Sequence, residues 1–299
     1  MAYSARVIAD SINEAGNRLT TMEVVFPRCM LAEFNTHRLF SRNSASSRAI
    51  PVRKQIERIM TDPFIPVYWG ANKPGMAADV ELEGRERLLA ISEWLGARDD
   101  AVRRAERLLA LNLHKQISNR LLEPFMWQTV IVTATEWSNY FALRANAQAQ
   151  PEIRTIAEMM KEVYAESVPV LLHEGQWHTP LIQPDEKQWA ELHVEDAIKV
   201  SAGRCARVSY LTHEGVRDLS KDIELCEKLV HSGHMSPLEH VATPGSSYVE
   251  SKDIDYTEYD TMLIKTHRIP IIDSNFRGWK QFRKTVEHEH DYSLVLAAS

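Results

Sequence analysis

Apolar and polar positions alternate between strand-like and helix-like spacing along the chain. Residues 20–26, TTMEVVF, gather the β-prone Val24, Val25 and Phe26 and predict a strand. Pro27 suits the first turn of a helix running through Cys29, Met30, Leu31 and Phe34. Residues 61–76 hold Pro63, Pro66, Gly70, Pro74 and Gly75 and predict loop. From 77 to 122 the pattern is mostly helical, with Val102, Ala105, Leu108, Leu109, Leu113, Ile117 and Leu121 at helical spacing. Asp99 and Asp100 suit the N-terminal caps of that helix, and Pro124 breaks or kinks it. Val130, Ile131 and Val132 form a β-prone run ahead of Trp137, Tyr140 and Phe141. Residues 151–168 read as a helix with Pro151 at its start.

Residues 173–188, HEGQWHTPLIQPDEKQ, break the periodicity. They divide the chain into portions 1–172 and 173–299, expected to form one compact unit. Helices follow near 189–207 and 218–232, then strand and loop over 245–275, then a tail mixing Arg, Lys, His and Glu. No repeat of fixed period is present.

With 44% hydrophobic and 25% charged residues over 299 positions, the chain has the composition of a globular domain with ample length for a core. A net charge of −6 argues against a dedicated double-stranded DNA binder. Cys29, Cys205 and Cys226 are odd in number and lack C-x-x-C spacing, which suits free thiols in a reducing compartment. The first residues carry charges where a signal peptide needs an apolar core, and no apolar run reaches about 18 residues. No membrane partner is expected, and the expected location is the cytoplasm.

The acid-free stretch 36–54 stands out in this acidic chain. Within residues 36–48 lie His37, Arg38, Arg42, Arg48, Asn43, Ser41, Ser44, Ser46 and Ser47. Guanidinium forks and hydroxyls are the donors that grip phosphate or a pyrimidine edge. By composition alone the stretch reads as readily as a solvated, Ser-rich loop. Residues 138–154, SNYFALRANAQAQPEIR, could project Asn139 and Arg144 into a common site, or form an amphipathic surface helix. Residues 233–240, GHMSPLEH, and EHEHD at 287–291 carry metal-capable side chains but match no zinc or metalloprotease spacing, so no metal is expected. Dinucleotide-binding, P-loop and hydrolase-elbow motifs are absent.

Together these blocks resemble the flavin-dependent thymidylate synthases, the ThyX family. Residues 36–48 match R-H-R-x-x-S-x-N-x-x-S-x-R at His37, Arg38, Ser41, Asn43, Ser46 and Arg48, with Thr36 replacing the first Arg. Asn139, Leu143, Arg144, Ala149, Gln150, Glu152 and Ile153 match a second block. Ala206–Tyr210 and Gly233–His240 match A-R-V-S-Y and G-H-x-S-P-x-E-H. In the family the last of these precedes the R-H-R block; here it follows by nearly two hundred residues, as in a circular permutation.

The resemblance implies an α+β fold with an antiparallel sheet and long helices, its motif blocks in permuted order. It implies FAD as cofactor, NADPH and 5,10-methylenetetrahydrofolate as co-substrates, and methylation of dUMP to dTMP in a homotetramer. No enzyme nucleophile is needed, so the protein binds, orients and polarises. By motif match, His37, Arg38, Asn43, Asn139, His234, Ser236 and Glu239 would hold the flavin. Glu33, Ser46, Arg48, Arg120 and Arg144 would hold the nucleotide, with Arg144, Ser46 and Arg48 closest to the chemistry.

Four departures touch this scheme. Thr36 removes a charge, Thr133 and Thr135 stand where Asn and Arg commonly contact FAD, and Gln148 replaces a His. Glu33 replaces a Gln near the pyrimidine; a carboxylate accepts from an amino group, whereas an amide also donates. Hydroxymethylation of dUMP or dCMP is therefore an alternative. Arg204, Arg207 or the cluster Arg277, Lys280, Arg283 and Lys284 could compensate for the lost groups. A non-catalytic nucleotide- or RNA-binding module built on 36–54 is a further alternative, weakened by the net charge.

Overall fold

The structure is a computed structural model that describes residues 3–75, 77–245, 248–256, 262–270, 274–287 and 289. The chain opens with a hairpin of β1 (Ser4–Asn13) and β2 (Arg18–Pro27), turned by Gly16 at φ +81°. A 3-10 turn leads into α1 (Leu31–Phe34), β3 (Ser41–Ser44) and α2 (Val52–Thr61). The long α3 (Gly84–Ala110) and short α4 (Lys115–Ser118) precede β4 (Trp127–Ala134), α5 (Ser138–Arg144) and α6 (Pro151–Glu166). Then come β5 (Val170–Leu172), α7 (Lys187–Leu192), α8 (Val194–Arg207) and α9 (Leu219–His231). The last described strands are β6 (Ala242–Pro244), β7 (Tyr248–Tyr256), β8 (Met262–Pro270) and β9 (Trp279–Gln281).

The fold is α+β. The main sheet runs β3-β4-β2-β1-β5, antiparallel throughout except for the β1–β5 pair. Successive side chains of a strand face opposite ways, so β2 and β4 divide their residues between two cores. Met22, Val24, Phe26, Val130, Val132 and Ala134 pack on one face with Phe34, Tyr140 and the α6 stripe Ile153, Ile156, Ala157 and Met160. On the other face Ile131 packs with Leu181, Cys205 and Val208, and Leu19 with Ala242, Phe276 and Trp279. The sheet is thus covered on both sides, which is why its central strands are buried almost without interruption.

α8 crosses α9 closely enough that a Cβ on Gly203 would stand 2.2 Å from the Asp222 carbonyl oxygen. Beside it Arg204, 1% exposed, pairs with Asp222 at 3.0 Å and forks onto Glu186 at 2.6 and 2.8 Å. Arg207 takes the other Asp222 oxygen at 2.6 Å. Among the described residues, no helix is long and apolar enough to cross a membrane.

Several expectations shift. Asp99 and Asp100 lie inside α3, whose N-cap is Glu83; the helix continues ahead of them through Trp94, which packs beside Phe64 and Phe125. Pro124 sits in a 3-10 segment, Asn119–Phe125, that delivers the chain to β4. β3 lies in the stretch read as polar loop, and β1 was not read from the sequence at all.

Candidate active site

Phe34, fully buried, anchors α1 in an aromatic cluster with Phe26, Phe40 and Tyr140. His37 rests on that cluster, edge to face with Tyr140 at 4.8 Å and stacked with Phe40 at 5.7 Å. Arg144, the last residue of α5, reaches across to it: Nε donates to His37 Nε2 at 3.1 Å and Nη2 to Thr36 Oγ1 at 3.4 Å. Nη1 stands 3.5 Å from Glu33 Oε2. Burial, then the Arg144 and Arg42 charges, hold the His37 pKa below its ordinary value. The imidazole is neutral at pH 7, and its bond from Arg144 assigns Nε2 as acceptor and Nδ1 as the protonated nitrogen. Glu33, Thr36, His37 and Arg144 therefore form one group.

A second group joins segments far apart in sequence. β3 pairs with β4 from Ser41↔Thr133 to Ser44↔Val130, with Ser41 and Asn43 buried. Ser41 Oγ donates to Glu239 Oε2 at 2.8 Å and accepts from Gln281 Nε2 and Asn275 Nδ2, each at 3.1 Å. Arg283 Nη1 donates to Glu239 Oε1 at 2.7 Å. The Asn43 amide donates to the Cys205 carbonyl at 3.4 Å, and the Ser46 N–H to the Ser209 carbonyl at 3.1 Å. The 36–48 motif thus touches both the 206–210 and the 233–240 blocks. Asn275 and Gln281, absent from the sequence reading, sit at this junction; a tertiary contact of two amides leaves no motif.

Behind it runs a buried polar chain. Ser11 Oγ lies 2.8 Å from His178 Nδ1, and His178 Nε2 lies 2.7 Å from Thr21 Oγ1. Thr21 and Thr133 hydroxyls are 2.7 Å apart, and Thr133 Oγ1 is 2.7 Å from His240 Nδ1. Burial pushes both histidines down to about 3. Thr133 is therefore a fully buried link between sheet and motif rather than an exposed group. Thr135 accepts the Arg277 N–H at 3.1 Å.

A third group surrounds Glu123. Its carboxylate accepts from Arg120 Nη1 at 2.8 Å and Ser47 Oγ at 2.7 Å, and stands 3.0 Å from Arg28. This brings Arg120 beside the Ser46–Arg48 end of the motif. Arg28, Asn35 and Arg120 line a cavity of about 480 Å³ next to α1.

Arg38, Arg48, Asn139, His234 and Ser236 are exposed, and Ser46 is half-buried. No ion pair engages Arg38 or Arg48 among the described residues. Of the suggested compensating residues, Arg204 and Arg207 belong to the buried Asp222 cluster, and Arg283 is shared between Glu239 and Glu289. Glu23, His213 and Glu214 converge as well, but Arg6 pairs with both carboxylates and His213 with Glu23. EHEHD falls partly outside the described residues. All three cysteines are free thiols.

A family model described as thymidylate synthase complementing protein matches residues 18–170. The match includes the 36–48 motif, Arg120, Asn139 and Arg144, and ends before the two blocks that pack against that motif. No curated protein matches the chain.

Proposed function

The chain belongs to the thymidylate synthase complementing protein family, and from that membership we propose that it is a flavin-dependent thymidylate synthase. It would methylate dUMP to dTMP with 5,10-methylenetetrahydrofolate as carbon donor and NADPH as reductant. The observation that carries this reading is the Ser41–Glu239 contact, which joins motif blocks that the sequence separates by nearly two hundred residues.

The donor set fits FAD. Arg38, Asn139, His234 and Ser236 offer exposed cationic and hydrogen-bonding groups of the kind a diphosphate and a carbonyl-rich ring accept from. Bound there, FAD would supply hydride transfer, which no side chain of the protein can. Asn43 and Glu239 would act from behind, by fixing the backbone that carries those donors.

Arg144 would hold the nucleotide, with Glu33 orienting its guanidinium and neutral His37 keeping it in place. A fixed positive charge is suited to stabilising negative charge that develops on a pyrimidine ring. Ser46 would bind through its hydroxyl rather than act as a nucleophile, since among the described residues no general base is hydrogen-bonded to that hydroxyl. Arg48 and Arg120 would meet the phosphate, Arg120 by exchanging its Glu123 partner for it. The exposure of these arginines in a single chain fits a homotetramer in which neighbouring subunits complete the site.

The carboxylate of Glu33 supports a second reading, in which a cytosine amino group is the base edge recognised and dCMP or a hydroxymethyl product replaces dUMP or dTMP. Purified protein titrated with FAD, then given each nucleotide with folate and NADPH, separates the two by the mass of the product. Failure to take up FAD counts against both.

A further inference from the structure

α2 buries one stripe, Val52, Gln55 and Ile59, against the side cluster of the fold. The middle position of that stripe is an amide where an apolar side chain would serve packing. Gln55 is 1% exposed, and its Nε2 has no hydrogen-bond partner among the described residues. The indole Nε1 of Trp127, at the start of β4, is likewise buried and unpartnered. Both residues line one cavity of about 350 Å³, with Ile59 and Met126 as its apolar wall. Burying a donor without an acceptor costs stability, so two at one cavity are a standing cost that packing does not explain.

We infer that this cavity is a binding site for a small organic carboxylate with an apolar body, whose oxygens accept from Gln55 Nε2 and Trp127 Nε1. Lys54 and Arg58, one helical turn apart on α2, bring two cations to the same cavity. Burial pushes the Arg58 pKa below its ordinary value, with Glu57 acting against it. Glu57 and Asp62 line the cavity too, and Asp62 has a partner of its own. The wall of Ile59, Met126 and the Trp127 ring receives the apolar part of the ligand. No residue of this cavity belongs to the proposed thymidylate site, so the inference stands apart from that reading.

The full chain, free of added nucleotide and flavin, is tested by ligand-observed NMR with benzoate and octanoate as probes and benzamide as the uncharged control. Millimolar binding of an acid probe is expected, the level that molecules this small reach, with benzamide weaker. Gln55→Leu should abolish that binding and raise the Tm of the ligand-free protein by about 2 °C, since it removes a buried unpaired amide. Trp127→Phe keeps a ring beside Tyr3 and Phe64 and should weaken binding at least tenfold. The inference is overturned if neither acid binds at millimolar concentration, if Gln55→Leu binds as the wild type does, or if Gln55→Leu lowers the Tm. The last result would mean that the amide serves the fold.

Discussion

Two serines of one motif should behave in opposite ways. Ser41 is 1% exposed and its hydroxyl is the hub of the junction; Ser46 is half-buried, and among the described residues its bonds are made by the backbone N–H and carbonyl, not by the hydroxyl. In Ser41→Ala the amides keep other partners: Gln281 Nε2 retains Asn275 Oδ1 at 3.0 Å and the Glu239 carbonyl at 3.1 Å, and Asn275 Nδ2 retains the Leu39 carbonyl at 2.9 Å. The loss falls on Glu239 Oε2. A hydrogen bond to a charged group contributes about 1.5–3 kcal/mol. The Glu239 side chain keeps 20% exposure, so water repairs part of the loss and about 2 kcal/mol is expected. For a chain of this size that is a fall in Tm of about 4 °C. Ser46→Ala should move the Tm by less than about 1 °C and instead weaken dUMP binding. Differential scanning calorimetry and nucleotide titration read both. Equal Tm values for wild type and Ser41→Ala would refute the placement of Ser41 at the junction.

Acid should unfold the protein early. His178 and His240 have folded pKa values of about 3 against an ordinary 6.5, so the unfolded chain binds more protons between those values. Stability is complete above 6.5 and falls as pH drops, by about 1.4 kcal/mol per pH unit for each histidine. A Tm that stays flat from pH 7 to 5 contradicts their burial. Arg144→Ala removes one of the causes that hold the His37 pKa down, so NMR titration should find that pKa higher, while burial keeps it from returning fully. The same variant should lose at least a hundredfold in activity, about 2.7 kcal/mol; retained activity removes Arg144 from the site. Arg204→Ala strands Asp222, which is fully buried, and should cost about 3–5 kcal/mol in urea unfolding, with Arg207 recovering part. A loss under about 1 kcal/mol would mean that the cluster is hydrated.

How far the sequence carried this picture depends on where the information lies. The strand read over 20–26 and the helix read over 151–168 were legible because burial follows directly from apolar spacing, as in Ile153, Ile156 and Met160. β1 was not legible: its SARVIADSIN alternation mixes Ser, Arg and Asp with apolar residues along a strand that is mostly half-buried. β3 was hidden because Ser41 and Asn43 are buried polar residues satisfied by distant partners. Arg144 and Glu33 were legible as types, whereas their grouping around His37 required the aromatic cluster. Thr133 stands where the resemblance places a cofactor contact, and it joins two buried histidines, one of them through Thr21: His240 closes the G-H-x-S-P-x-E-H block, whereas no local pattern singles out His178.

Incubating the purified chain with FAD, NADPH, methylenetetrahydrofolate and dUMP and determining the mass of the nucleotide product decides whether it is a thymidylate synthase. The expected outcome is a flavin-bound protein and dTMP, heavier than dUMP by the one CH2 gained when a methyl group replaces a ring hydrogen. Unchanged dUMP from a protein that has taken up FAD would contradict it.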